Sequence, residues 1–251
     1  MAITPLDVAI RTHVGLVRSS NQDWLHADAV LGLLVLAAGV GGHRGGEVAS
    51  QLAVHAVIDA LVPAQREDVA DDMESLMRVG EAAEFANRLL LEKSQTRPEL
   101  KGMGTTVVLA IFRGGRIFYA HVGDSRLYRV RYGRMRRLTR DHSLIQQMID
   151  DGIFLNRDEA REGGVKDNIL TRSLGMEFRA EVDVGDALLA VGDTYLFCSD
   201  GLHSLVPDDI IARILRDPEG DLENQAQTLT DAALSAGGKD NVSVILARPR
   251  L

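Results

Sequence analysis

Cysteine is almost missing from this chain. Cys198 is the only one in 251 residues, so no internal disulfide can form and a reducing cytoplasm is the expected compartment. Long apolar runs are missing too, since none approaches the roughly 18 residues of a membrane span. The opening stretch MAITPLDVAIRTHVG lacks the charged-then-apolar pattern of a secretory signal. Positive charge is in deficit: 28 Lys and Arg against 36 Asp and Glu leave a net charge of −8. That balance argues against a nucleic-acid or membrane-surface binder, because both partners present phosphate, but it leaves room for a small basic phosphate site. No CxxC or HExxH spacing occurs, so a zinc site is not expected. The glycine-rich segment GVGGHRGG has no Gly-Lys-Ser/Thr ending, which ranks nucleotide binding low. Neither repeats nor low-complexity tracts appear. What remains is 45% hydrophobic and 25% charged, a composition able to build a sizeable core.

Apolar and β-branched runs predict strands near 8–17, 31–37, 105–112, 116–122, 126–131, 181–190, 194–199 and 241–248. Glycine-containing turns in FRGGRIF and RYGRM join neighbouring runs as antiparallel hairpins. Two helices are expected early. One covers about 45–62, with a wide apolar stripe and Pro63 as its stop, and the other covers about 68–94. Two more are expected at 207–216 and 221–236. Strands grouped apart from helices indicate an α+β layered fold over residues 1–251 as one domain, with a polar insertion at about 142–168.

Three predicted strands carry an acid at one end. Asp124 follows one strand, Asp200 follows another and Asp240 precedes a third, each beside glycine or serine. One such aspartate is commonly a turn former or helix cap. Three in comparable positions would converge at one sheet edge, where carboxylates resist ionising unless cations sit between them. An all-oxygen set suits Mg²⁺ or Mn²⁺. A fourth strand, LGLLVLAAG, ends in the turn Ala37-Ala38-Gly39 with no acid at all.

In order along the chain, GLVRSSNQD, GMGTTVVLAIF, AHVGDSRLYRVRYGRMRRLTRDHSL, NILTRSLG, FCSDGLHSLV and GGKDNVSVIL resemble the motifs of the metal-dependent type 2C Ser/Thr protein phosphatases, compact bacterial form. The resemblance implies a four-layer α-β-β-α sandwich with two antiparallel sheets and a site for two Mn²⁺ or Mg²⁺ ions, with a third possible. It assigns Arg18 to the substrate phosphate, where a guanidinium fork matches two oxygens. Asp200 and Asp240 would bind the first metal, and Asp124 with Asp200 the weaker third. Asp23 would act through water on the second metal, to which Gly39 would offer its carbonyl, and Gln22 stands where many relatives have Glu. His43 would protonate the leaving group or merely pack its loop, and Asn241 would orient neighbours rather than ligate. Cys198 lacks the Cys-x₅-Arg loop of cysteine phosphatases and is expected to be a packing residue. The insertion matches the family's flap, in which Gly152, Gly163 and Gly164 allow movement; it would contact substrate or be a solvated loop. Implied partners are cytoplasmic proteins phosphorylated on Ser or Thr, including a Ser/Thr kinase or a forkhead-associated phosphoprotein. The chain itself is expected to be a monomer.

The departure lies at the centre. Where the family has Asp-Gly-Met-Gly-Gly-His, this chain has Ala38-Gly39-Val40-Gly41-Gly42-His43, and the missing aspartate is the carboxylate that bridges both metals. Weakened binding of at least one metal and greatly reduced hydrolysis are therefore expected. Two origins account for Ala38: an inactivating substitution in an active enzyme, or a natural pseudophosphatase that binds phosphoprotein without cleaving it. Retention of Arg18, Asp23, His43, Asp124, Asp200 and Asp240 favours the first.

Overall fold

The computed structural model describes residues 2–40, 44–66 and 71–251. The elements, in chain order, are β1 (Leu6–His13), β2 (Asp23–Asp28), β3 (Leu33–Val40), α1 (Arg44–Arg66), α2 (Asp72–Thr96), β4 (Gly104–Thr105), β5 (Val107–Arg113), β6 (Arg116–Val122), β7 (Arg126–Arg131) and β8 (Arg134–Arg137). Then follow α3 (Leu144–Asp150), α4 (Arg157–Glu162), β9 (Asp183–Leu188), β10 (Thr194–Cys198), α5 (Asp200–His203), α6 (Asp208–Ile214), α7 (Leu222–Ser235) and β11 (Val242–Pro249).

Two antiparallel sheets form, in the orders β2-β3-β5-β6-β9 and β1-β11-β10-β7-β8. Period-2 alternation explains the layering. Along β3, Leu34 and Leu36 enter the core between the sheets, while Leu33, Val35 and Ala37 face the core under α1 and α2. On β11, Ile245 and Ala247 face inward, and Val242, Val244 and Leu246 pack under α6 and α7. Helices thus cover the outer face of each sheet, giving the four layers expected.

Four expectations need correction. The first strand stops at His13 rather than 17, because Gly15 turns into the left-handed region (φ 84°), where a Cβ would lie 2.2 Å from the Asp240 carbonyl oxygen. Pro63 does not end α1, which runs on to Arg66; a proline in the last turn removes only a donor near the frayed end. Ala37-Ala38-Gly39 is strand rather than turn, since β3 continues to Val40. Finally, β2 lies outside the strands that the apolar runs predict: DWLHAD is short, polar at both ends and lies at a sheet edge, so its apolar signal is weak. The insertion holds α3 and α4, capped by the side chains of Ser143 and Asn156.

Candidate metal centre

The acid-bearing ends of β6, β10 and β11 meet the start of β2 at one end of the sandwich. Close backbone contacts fix this meeting. A Cβ on Gly201 would lie 1.9 Å from the Asn241 carbonyl oxygen, so glycine lets the Asp200-Gly201 and Asp240-Asn241 segments touch. The amide of Asn241 donates to the carbonyls of Val14 and Ser20, both at 2.9 Å, and its oxygen accepts the Gln22 N–H at 2.9 Å. Its hydrogen-bonding capacity is spent orienting the loop that carries Arg18. From that loop Arg18 reaches Asp240, Nη2 to Oδ2 2.7 Å.

Asp23 is buried directly opposite Ala38 across the β2–β3 pair. Its Oδ2 has no hydrogen-bond partner. Burial pushes its carboxyl up to about 6 despite hydrogen bonds from Ser243 and Ser199. Asp124, also buried, is pushed up to about 7, chiefly by burial and then by the charge of Asp141. Asp200 is raised well above the usual carboxylate range by burial, and further by Asp124, Asp240 and Asp23. Asp23, Asp124, Asp200 and Asp240 therefore share one electrostatic neighbourhood, with Arg18 at its rim. Ala38 is clamped in the same place by backbone: its N–H donates to Thr106 Oγ1 (3.1 Å), and its carbonyl accepts from the Thr106 N–H (2.9 Å) and Thr105 Oγ1 (3.0 Å). Thr106 in turn meets Ser125 at 2.6 Å, which couples Ala38 to the Asp124 turn. His43 lies outside the described residues.

Gly39 is also here, and its tightness has a packing cause. A Cβ there would lie 2.3 Å from the Gly46 carbonyl oxygen, so β3 and the first turns of α1 approach through two glycines. Cys198 is fully buried on β10 and burial pushes its thiol up, as suits a packing residue.

Two supporting networks have only a faint sequence signal, because their members lie far apart along the chain. Asp141 is buried and accepts from Arg126 (Nη2 2.7 Å, Nε 2.9 Å), Arg137 (3.3 Å) and Arg157 of α4 (2.6 Å). It thereby ties the insertion to β7. His121, His142 and Asp183 bring three ligand atoms within 4.8 Å of one another. Within this group, the His142 ring is oriented from both sides. His142 Nδ1 accepts the Gly123 N–H (3.1 Å), so the neutral ring carries its proton on Nε2, which faces Asp183 at 3.3 Å. Held by Asp183, His142 steadies the turn before Asp124. A cleft of about 930 Å³ beside it is lined by Val40, His142, Gln147, Ile169, Arg172 and Met176.

The residues present fit a divalent cation: all donors are oxygens, they repel one another, and one buried carboxylate oxygen lacks any partner. Among the described residues no helix is long and apolar enough to cross a membrane.

Comparison with known proteins identifies the family and the fold. The family model for protein phosphatase 2C matches residues 15–235. The serine/threonine protein phosphatase PstP of Mycobacterium tuberculosis is 37% identical over 242 residues, 96% of this chain and 45% of that protein, so the chain spans about half the length of that relative. The serine/threonine phosphatase stp of Listeria welshimeri is 34% identical over 96% of this chain and 95% of its own length. The crystal structure of the PstP catalytic domain in complex with two manganese ions superposes with a TM-score of 0.84 at 35% identity, covering 98% of this chain and 99% of that one. Fold, motif order and sequence similarity together place this chain in the protein phosphatase 2C family.

Proposed function

We propose that this site is built for Mn²⁺- or Mg²⁺-dependent hydrolysis of phosphoserine and phosphothreonine in proteins, and that Ala38 leaves it short of one bridging ligand. The observation that carries this reading is the convergence of Asp23, Asp124, Asp200 and Asp240 beside Arg18. Asp200 and Asp240 would hold the first ion, Asp124 with Asp200 a third, and Asp23 would orient water toward the second, with the Gly39 carbonyl as a further ligand. When bound, the ions would supply the Lewis acidity that brings the attacking water toward ionisation near neutral pH. Arg18 would leave Asp240 to take two phosphate oxygens, a geometry its planar fork suits. His43 would supply the leaving-group proton. Asp141, through Arg157, would hold the insertion beside the cleft, where the residues flanking the phosphorylated side chain would lie.

The names of the relatives support a Ser/Thr-phosphorylated protein as substrate; a Ser/Thr kinase would be the opposing enzyme, in the cytoplasm. A forkhead-associated phosphoprotein, or the kinase itself, is a fitting partner for the monomer. An inactivated form of an active enzyme explains Ala38 best, because Asp23, Asp124, Asp200 and Asp240 are all retained. A pseudophosphatase would instead stay silent once Ala38 is replaced by aspartate.

Metal binding should depend on pH. The folded-state carboxyls of Asp23 and Asp124 lie at about 6 and about 7, above the roughly 3.9 of an unfolded aspartate. The metal-free folded state thus holds extra protons between these values, and the stability contributed by both groups falls as pH rises through roughly 4 to 7. A cation needs the ionised forms and competes with those protons. Saturating Mn²⁺ should therefore raise Tm more at pH 7.5 than at pH 5, relative to chelator at the same pH. Differential scanning fluorimetry checks this, and an equal rise at both values contradicts it.

A further inference from the structure

Four arginines share one face of the β7–β8 hairpin. Arg129 and Arg131 alternate along β7, and the register sets Arg136 opposite Arg129 and Arg134 opposite Arg131. They lie on the side of Leu127, which belongs to the core between the sheets, and β8 is the outer strand of its sheet. The arginine face therefore opens at the edge of the sandwich, with Arg134 and Arg136 exposed. Like charges directly opposite on paired strands are destabilising. Arg131 escapes this cost through two 2.6 Å hydrogen bonds to Asp193. Arg129, Arg134 and Arg136 do not: no acid pairs with them among the described residues, and the Nε–H of Arg129 is buried without an acceptor. Asp186 of β9 is already held by Arg116. Three guanidinium groups thus stand together without an internal anion on a chain of net charge −8.

We propose that Arg129, Arg134 and Arg136 form a docking site for an aspartate- and glutamate-rich segment of the protein substrate. Guanidinium forks match carboxylates, and an acidic peptide would supply the counter-charge that the facing pairs lack. A chain of net charge −8 repels a long polyanion such as nucleic acid or an anionic membrane far more than a short segment bearing a few carboxylates, which favours the latter as occupant. Spacing fits as well. Arg129 lies five residues beyond Asp124, and at about 3.3 Å per residue of strand that is about 16 Å, the reach of five or six residues of extended peptide. The anion site stands on the hairpin alone, while its use in substrate docking rests on the phosphatase reading.

The test uses a fluorescein-labelled, glutamate-rich peptide without phosphate. Fluorescence anisotropy on the chain and on its Arg134→Gln/Arg136→Gln variant should show about ten-fold weaker binding in the variant and a flatter salt dependence. Equal affinity overturns the proposal, as does tighter binding of an oligonucleotide than of the peptide. Thermal unfolding of the variant should be unchanged or shifted upward, since like charges have been removed. A second arm uses the Ala38→Asp protein and two phosphothreonine peptides, one with an acidic block five or six residues from the phosphate and one with glutamines there. Removing the arginines should lower kcat/KM on the acidic peptide alone, through KM, and leave p-nitrophenyl phosphate untouched. Equal losses on all three substrates overturn docking. Silence of the Ala38→Asp protein toward all three sinks the phosphatase reading, and anisotropy then judges the anion site by itself.

Discussion

Replacing Ala38 with aspartate should raise Mn²⁺-dependent hydrolysis of p-nitrophenyl phosphate about 100-fold or more. Two divalent ions about 4 Å apart repel: unit charges at that separation interact by about 4 kcal/mol at an effective dielectric near 20, and double charges by about four times that. A carboxylate between the ions offsets much of this repulsion, whereas alanine brings neither charge nor lone pair. Position 38 is ready for the exchange. Its backbone is locked by Thr105 and Thr106, and its neighbour across the strand pair is Asp23. The ligand is thus missing from a framework that is otherwise formed. A gain of 100-fold corresponds to about 2.7 kcal/mol of transition-state stabilisation, modest for a group that sets the spacing of two catalytic ions. An Ala38→Asp protein as inactive as its parent would instead identify a pseudophosphatase.

Asp141→Asn should cost about 3–5 kcal/mol of stability, the effect of leaving a buried cation without its counter-charge. The Asp141 side chain is fully buried and that of Arg126 is 5% exposed. Burial alone would raise the Asp141 carboxyl; the hydrogen bond and charge of Arg126 outweigh it and hold the group far below the usual range. Because the folded-state value is depressed, this stabilisation is present above about pH 4 and is lost only as pH falls further. Asparagine keeps the shape but not the charge, and also releases Arg137 and Arg157. Urea unfolding at pH 7 measures the loss, with a fall in Tm of roughly 10 °C expected for a chain of this size. A loss under 1 kcal/mol would show that Arg126 finds another partner. The same variant should loosen α4 against β7, since Arg157 is the hydrogen-bonded link from that helix to Asp141.

The layers and the acid cluster were legible from residues alone for different reasons. Strands β6, β10 and β11 are mostly apolar runs, and Asp124, Asp200 and Asp240 mark one end of each. Type and position are local properties there. Features that depend on distant neighbours were not legible. Whether Gly15 breaks β1 depends on the Asp240 carbonyl, and the tightness at Gly39 depends on Gly46. Strand β2 owes its existence to pairing with β3 rather than to its own weak pattern. Asp141 and His142 lie in a recognisable run, yet their work became visible only once folding brought Arg126, Arg157, His121 and Asp183 around them. Nothing in the spacing of RLYRVRYGRMRR reveals that four arginines face one another. That follows from the hairpin register.

Isothermal titration with Mn²⁺ tests the central claim most directly, namely that these acids form one cation site which Ala38 leaves incomplete. The chain should bind one Mn²⁺ through Asp200 and Asp240 and a second only weakly, while the Ala38→Asp protein should bind two tightly. Two tight sites in the alanine form, or no added site in the aspartate form, would contradict it.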